Sequence, residues 1–308
     1  MRDRSRRCMC FAFLLGAFLA GRAYGSGGAL PAIGGVPAPV TADLSHIVAA
    51  REGPLSAEAF SIYRWDRFPT VLILDMADFE AQNRMFSRLA FYLEKVGFRG
   101  RLLTNAQLKG KHGWNAHDYG AEGLAAFFEA ADRAHFRLNP EELLLEDIAL
   151  REGILLRTGG SVAAGQGGVL SISRASSLYE RRLLLAHESY HGVFFASPEY
   201  QRFCFDLWDA ATADERRFMV ALLAVLGYDS SDRYLSVNEF QAYLLQQPSS
   251  MAAAYFRRVA SLLADSSDAP GVEQALPGLL DDEKKLEGFL QTHFAMTAGG
   301  AYSTAEAQ

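Results

Sequence analysis

The sequence predicts an α+β fold: a mixed α/β N-terminal half with a small sheet, then an all-helical C-terminal half. Three observations carry this. Val71-Leu72-Ile73-Leu74 is a short, wholly apolar run, as in a strand covered on both faces. Gly168-Val169-Leu170-Ser171-Ile172-Ser173 alternates as a half-exposed strand does. Beyond Pro198 the periodic stretches all have helical spacing. Of 308 residues, 50% are hydrophobic and 21% charged, enough apolar material for a full core and too much for a disordered or fibrous chain.

Met1 to Arg7 is basic, Cys8 to Ala20 is apolar, and Ala23-Tyr24-Gly25 is a small-x-small cleavage pattern. That order predicts a secretory signal peptide over 1–25, too short to span a bilayer, and a secreted or periplasmic mature protein without a transmembrane anchor. The segment holds five Arg and one Asp, so the whole-chain charge of −6 becomes about −10 without it. A nucleic-acid partner is excluded on that charge. Cys8 and Cys10 leave with the signal, and Cys204 alone cannot form an internal disulfide.

Residues 26–50 begin as a Gly/Ala/Pro/Ser stretch and are expected to be a linker. The strand at Val71 should lead into a helix from an Asp78 cap to about Val96, with Phe98–Leu103 as a second strand. Segment 104–120 is expected to be a loop without elements of its own. Helices follow at 121–136 and 140–151, the latter announced by Asn139-Pro140. Ile154–Arg157 reads as a strand, Gly159–Gly168 as a turn, and Ser176 or Ser177 opens a helix to about Phe195. The remaining helices are expected at 199–208, 212–226, 236–246, 249–265 and 278–294, with Asp281-Asp282-Glu283 as a solvated helix start. The organisation is thus an upper subdomain, 51–197, and a helical lower subdomain, 198–308.

The helix after Ser177 contains His187-Glu188-Ser189-Tyr190-His191, the pattern H-E-x-x-H. Two His four residues apart turn through about 400° and leave one helix face, so both imidazoles can share a metal. Glu188 stands beside that face, placed to take a proton from a metal-bound water. Zinc bound by protein at three points needs one more ligand. Glu239, in Val237-Asn238-Glu239-Phe240, is the leading candidate, with Asp206, Asp209 and Glu215 as competing carboxylates at closer spacing.

His187-Glu188-x-x-His191 followed by Asn238-Glu239 resembles the gluzincin group of zincin-like zinc metallopeptidases, whose third ligand is a Glu on a second helix. The resemblance implies a zincin-like fold, a Zn2+ cofactor, His187, His191 and Glu239 as ligands, Glu188 as general base, and a peptide or protein substrate. Two positions depart from the pattern. Ser189 stands where a bulky apolar residue is usual, and Tyr243 stands where thermolysin-like members carry an Asp that orients a zinc His. Tyr243 can instead offer a hydroxyl to a ligand or an oxyanion.

Two further places are candidate substrate contacts. Strand Val169–Ser173 is expected at the sheet edge, where Ser171 could face an extended peptide paired to the backbone. In segment 104–120, His117 and Asp118 could touch substrate or an oxyanion, with Trp114 and Tyr119 lining a pocket; the same residues could equally pin the loop. The Gly159-Gly160 and Gly165–Gly168 runs lack the Lys-Ser/Thr ending of a phosphate loop. His46, His135 and His293 have no partner at ligand spacing. The expected function is therefore an exported zinc metallopeptidase. Its rivals are a secreted zincin-like binding scaffold without turnover and a zinc hydrolase of a non-peptide amide.

Overall fold

The computed structural model describes residues 38–50, 60–263 and 272–303. The expected signal peptide, residues 26–37 of the expected linker and residues 51–59 lie outside them. The strands are β1 (Val40–Ala42), β2 (Phe60–Trp65), β3 (Val71–Met76), β4 (His117–Gly120), β5 (Leu155–Thr158), β6 (Ser161–Ala164) and β7 (Gly168–Ser173). The helices are α1 (Leu44–Ala49), α2 (Phe79–Leu93), α3 (Asn105–Leu108), α4 (Ala121–Arg133), α5 (Pro140–Arg151), α6 (Leu178–Ala196), α7 (Pro198–Ala210), α8 (Ala213–Leu226), α9 (Arg233–Leu245), α10 (Ser249–Leu263), α11 (Val272–Phe294) and α12 (Gly300–Ser303). The fold is α+β, with a small mixed sheet in the first half and helices throughout the second.

The sheet order is β1-β2-β3-β7-β4, with β5 and β6 forming a separate hairpin. β3 runs parallel to β7, and β4 runs antiparallel to β7 on its other side. One face of the sheet packs Leu72, Leu74 and Val169 against Phe86, Leu89, Phe127 and Ile148 from α2, α4 and α5. The other face packs Val71, Ile73, Leu170 and Ile172 against α6. The helices of the second half close over α6 from below, α9 lying along it. Every residue of α6 from Leu183 to Phe194 is buried, which explains how a helix with several polar residues sits at the centre of the molecule.

Several expectations are corrected. Residues 40–49, expected as linker, form β1 and α1, with Asp43 Oδ1 accepting from His46 N at 2.7 Å as the helix cap. Phe98–Leu103 is not a strand: Gly97 and Gly100 sit at φ +78° and +70° and fold the chain into successive turns. The expected loop 104–120 contains α3 and β4, and the expected turn after Gly159 contains β6. β7 is interior rather than an edge strand, because β4 pairs along its outer side. α11 starts at Val272, so Asp281 is no helix start, and Asp282 and Glu283 are buried rather than solvated.

A buried ion network fixes α6 to the sheet. Asp75 on β3 and Arg181 on α6 are both fully buried and pair at 2.6 Å, while Arg174 Nε meets the other Asp75 oxygen at 2.8 Å. Arg181 also donates to the backbone oxygens of Ile47 and Val48, tying α1 to the same point. A buried pair of this kind adds little over an apolar substitute, but removing one member strands the other. Asp75→Asn is expected to destabilise the protein by about 3–5 kcal/mol in urea unfolding; a change below about 1 kcal/mol would show that the network does not hold α6.

Candidate metal centre

Ser177 and Glu180 form a capping box at the start of α6. Ten residues on, the helix presents His187 and His191 on one side. Gly192 lies flat on the sheet: a Cβ there would meet the side chains of Leu170, Trp65 and Val71, each at 3.2 Å. A side chain here would push these neighbours back by a few tenths of an ångström, so the glycine helps to set the depth at which His191 is held.

His187 Nε2 and His191 Nε2 converge to 3.0 Å. From α9, Glu239 brings Oε2 to 3.4 Å from His187 Nε2 and Oε1 to 3.9 Å from His191 Nε2. His187, His191 and Glu239 are at most 2% exposed. The opposite ring nitrogens decide what the Nε2 atoms offer. His187 Nδ1 lies 3.0 Å from Gln246 Oε1, and His191 Nδ1 lies 3.5 Å from Asp118 Oδ2. Gln246 is an acceptor for a proton on His187 Nδ1, a tautomer that turns the His187 Nε2 lone pair towards His191 and Glu239; His191 Nδ1 has the Asp118 carboxylate nearby but no hydrogen-bond partner.

Three lone-pair donors facing one another in a buried space repel unless a cation or proton lies among them. The two Nε2 atoms lie 3.0 Å apart, and each has a different Glu239 oxygen at 3.4 or 3.9 Å, separations close to those between ligand atoms around a tetrahedral ion with bonds of about 2.0–2.1 Å. Glu239 Oε2 has no hydrogen-bond partner, as befits an atom reserved for a metal. The donor set therefore fits zinc. The three residues form one group able to hold an ion; Asp118, Glu188 and His191 form a second, overlapping one.

Asp118 comes from β4, where side chains alternate between faces. Asp118 is opposite Leu170 and shares its α6-facing side, whereas His117 is opposite Ser171 and shares the α2-facing side. Asp118 also accepts from Asn238 Nδ2 at 2.9 Å, so the neighbour of Glu239 steadies the carboxylate beside His191. Thus the acid that Tyr243 fails to provide reaches the site from the sheet. Tyr243 itself is buried against the His187 ring, with centroids 4.7 Å apart.

The remaining candidates are placed elsewhere. Ser171 accepts from Gln82 Nε2 at 3.0 Å, on the sheet face away from α6. His117 bonds Tyr119 Oη through Nδ1 at 2.9 Å and stacks on Phe86. Neither faces the α6–α9 interface, because the strand register turns both towards α2. Among the competing carboxylates, Asp209 pairs with Arg233 at 2.6 Å, Glu215 caps α8 through Thr212 N, and Asp206 is exposed. None joins the His pair.

Glu188 is 3% exposed, and its Oε2 has no partner. Burial, reinforced by Glu239 and Glu94, holds its carboxyl well above the usual range. Burial and the nearby Glu188, Glu94 and Glu239 do the same to Asp118. Glu94, at the end of α2, is raised to about 8 by burial and by Glu239, although the Trp114 indole donates to its Oε2. Burial pushes His191 down to about 4, Glu239 opposing and His187 assisting. Four carboxylates thus crowd one buried point, an imbalance that a divalent cation would offset.

A cleft of about 360 Å³ opens beside the site. Glu94, Asp118 and Asn238 line it together with Tyr119, Phe195 and Tyr234. Gln246 was within reach of the sequence, since it follows Glu239 and Tyr243 at helical spacing; Glu94 carried no such signal. No family model, curated protein or solved structure matches the chain.

Two outcomes follow for the metal. His187→Ala, His191→Ala or Glu239→Ala should each abolish or strongly weaken zinc binding, while Asp118→Asn should weaken it about 10–100-fold, read by competition with a chromophoric chelator. Unchanged affinity in all four variants would end the assignment. In metal-free protein, Glu94, Asp118 and Glu188 keep protons that the unfolded chain has released above about pH 4.5, so stability falls as pH rises towards 8. The buried imidazoles of His112, His117 and His191 oppose this only below about pH 6.5, where the unfolded chain takes up protons that they refuse, and Lys95, lowered to about 7 by burial, offsets one of the three carboxyls above that pH. Chelator-treated protein should therefore melt at lower temperature at pH 8 than at about pH 6.5, and zinc should remove most of the difference. A melting temperature that rises over that interval would contradict the crowding of carboxyls.

Proposed function

We propose that the protein is an exported zinc metallopeptidase with a zincin-like fold, in which His187, His191 and Glu239 hold the metal and Glu188 is the general base. The observation that carries this reading is the meeting of three buried donors from α6 and α9 at 3.0–3.9 Å, with Glu188 on the next position of the same helix. Export rests on the signal-peptide pattern of residues 1–25; no helix among the described residues is long and apolar enough to cross a membrane.

When bound, zinc supplies a Lewis acid that polarises the scissile carbonyl and acidifies water. Glu188 takes up the proton of the attacking water and passes it to the departing amine. Gln246 keeps the His187 imidazole in the tautomer that binds metal, and the Asp118 carboxylate lies near His191 Nδ1. The edge role expected of β7 passes to β4, the outermost strand on this side, whose free backbone groups suit an extended peptide laid antiparallel or parallel to it.

One observation favours a binding scaffold instead: no ligand or base residue is more than 3% exposed, so substrate reaches Glu188 only after local opening. The two readings separate in one experiment. Zinc-loaded wild type should cleave members of a diverse peptide pool, and Glu188→Gln should retain zinc while losing about 10²–10⁴-fold in turnover. Zinc binding without cleavage of any peptide would support the scaffold. Turnover of a cell-wall amide in place of peptides would leave the same residues acting on another substrate.

A further inference from the structure

The cleft beside the site is walled by apolar and aromatic side chains, including Leu93, Tyr119 and Tyr234, yet Glu94 lies among them at 4% exposure. One carboxylate oxygen of Glu94 accepts from the Trp114 indole. The other has no bonding partner and is not sealed from solvent, so it borders the cleft that Glu94 lines. No cation among the described residues comes within ion-pair distance of it. The adjacent Lys95 turns its ammonium over the Trp114 ring, and Arg99, at the cleft mouth, is committed to Asp232 at 2.6 Å. Lys95 and Arg99 act on this carboxylate only from a distance, so it has no direct ion pair, and Trp114 fixes its orientation.

We propose that this cleft is a subsite for a cationic group of the substrate, an ammonium or guanidinium, with Glu94 as its counter-ion. The inference rests on the peptidase reading for its place in a reaction, since Asp118 and Asn238 line the same cleft and reach His191 and the Glu239 helix. The apolar walls suit the methylene stem of lysine or arginine, and Glu94 receives the charged end. A free terminal amine presents the same charge without the stem. Burial first and Glu239 second raise the Glu94 carboxyl to about 8, and a cation bound against it would favour the ionised form.

The test uses zinc-loaded mature protein carrying Glu188→Gln, so that binding is read without turnover. Fluorescent hexapeptides, N-acetylated, carry a single lysine or norleucine at each position in turn; a parallel set has a free terminal amine. Binding is followed by fluorescence anisotropy in 0.3 M salt, which screens the general attraction of an acidic surface. At one position lysine, or in the second set the free amine, should bind at least about tenfold tighter than its neutral counterpart. Adding Glu94→Gln, which keeps an acceptor for Trp114, should reduce that ratio below about twofold, whereas Glu122→Gln at the exposed rim should not. Equal binding of charged and neutral peptides, or a preference that survives Glu94→Gln, overturns the subsite. Charge-selective binding without cleavage by the Glu188 protein would sink the peptidase reading and keep the subsite; cleavage without charge selectivity would do the reverse. Absence of binding by every peptide overturns both.

Discussion

Negative charge drawn into one buried point is the constraint on which the rest of this structure depends. Glu94, Asp118, Glu188 and Glu239 approach each other from α2, β4, α6 and α9, and each raises the cost of ionising another. No fold accumulates such a cost without compensation, since isolated buried carboxylates lose their solvation and gain protons instead. An ion held by two neutral imidazoles and one carboxylate would supply that compensation. The lone-pair geometry at the two Nε2 atoms and the charge imbalance around them are independent observations, and both ask for a cation at the same place.

The position of that point is set by the sheet more than by the helix that bears the motif. α6 is pressed onto β3 and β7 through Gly192 and anchored at its other end by Arg181 on Asp75. With the helix fixed in depth and rotation, the alternation along β4 directs Asp118 to His191. α9 then supplies the remainder from one face: Asn238 to Asp118, Glu239 to the imidazoles, Tyr243 to the His187 ring and Gln246 to His187 Nδ1. Each imidazole is thereby oriented by a different half of the molecule, one by the sheet and one by the helices.

This division explains what was legible in the sequence. The α+β class, the two principal strands and most helices were visible because their periodicity and caps are local, as with Asn139-Pro140 and Ser177. His187, Glu188 and His191 were visible because one helix turn relates them. β4 was hidden because four residues between a glycine-containing turn and a helix carry too little pattern, and what was read as loop is an edge strand. Without that strand the faces of the nearby residues could not be told apart. Ser171, His117 and Asp118 all read as substrate contacts, but the first two share the α2 side and only Asp118 faces the His pair. A strand period of two leaves no intermediate outcome: a residue next to the right one points the opposite way.

The position of Asp118 on the sheet has a structural consequence. Asp118 belongs to the first half of the fold and is itself held by Asn238 of the helical half, so its contact with His191 lies where the two halves meet. The junction is reinforced nearby: Asp229 N donates to Glu94 O at 2.7 Å, and Tyr228 stacks on Trp114. Trp114 in turn donates to the Glu94 side chain. The contacts that bring the halves together are therefore the contacts that orient His191 and Glu94. A displacement of either half would therefore disturb His191 and Glu94 together.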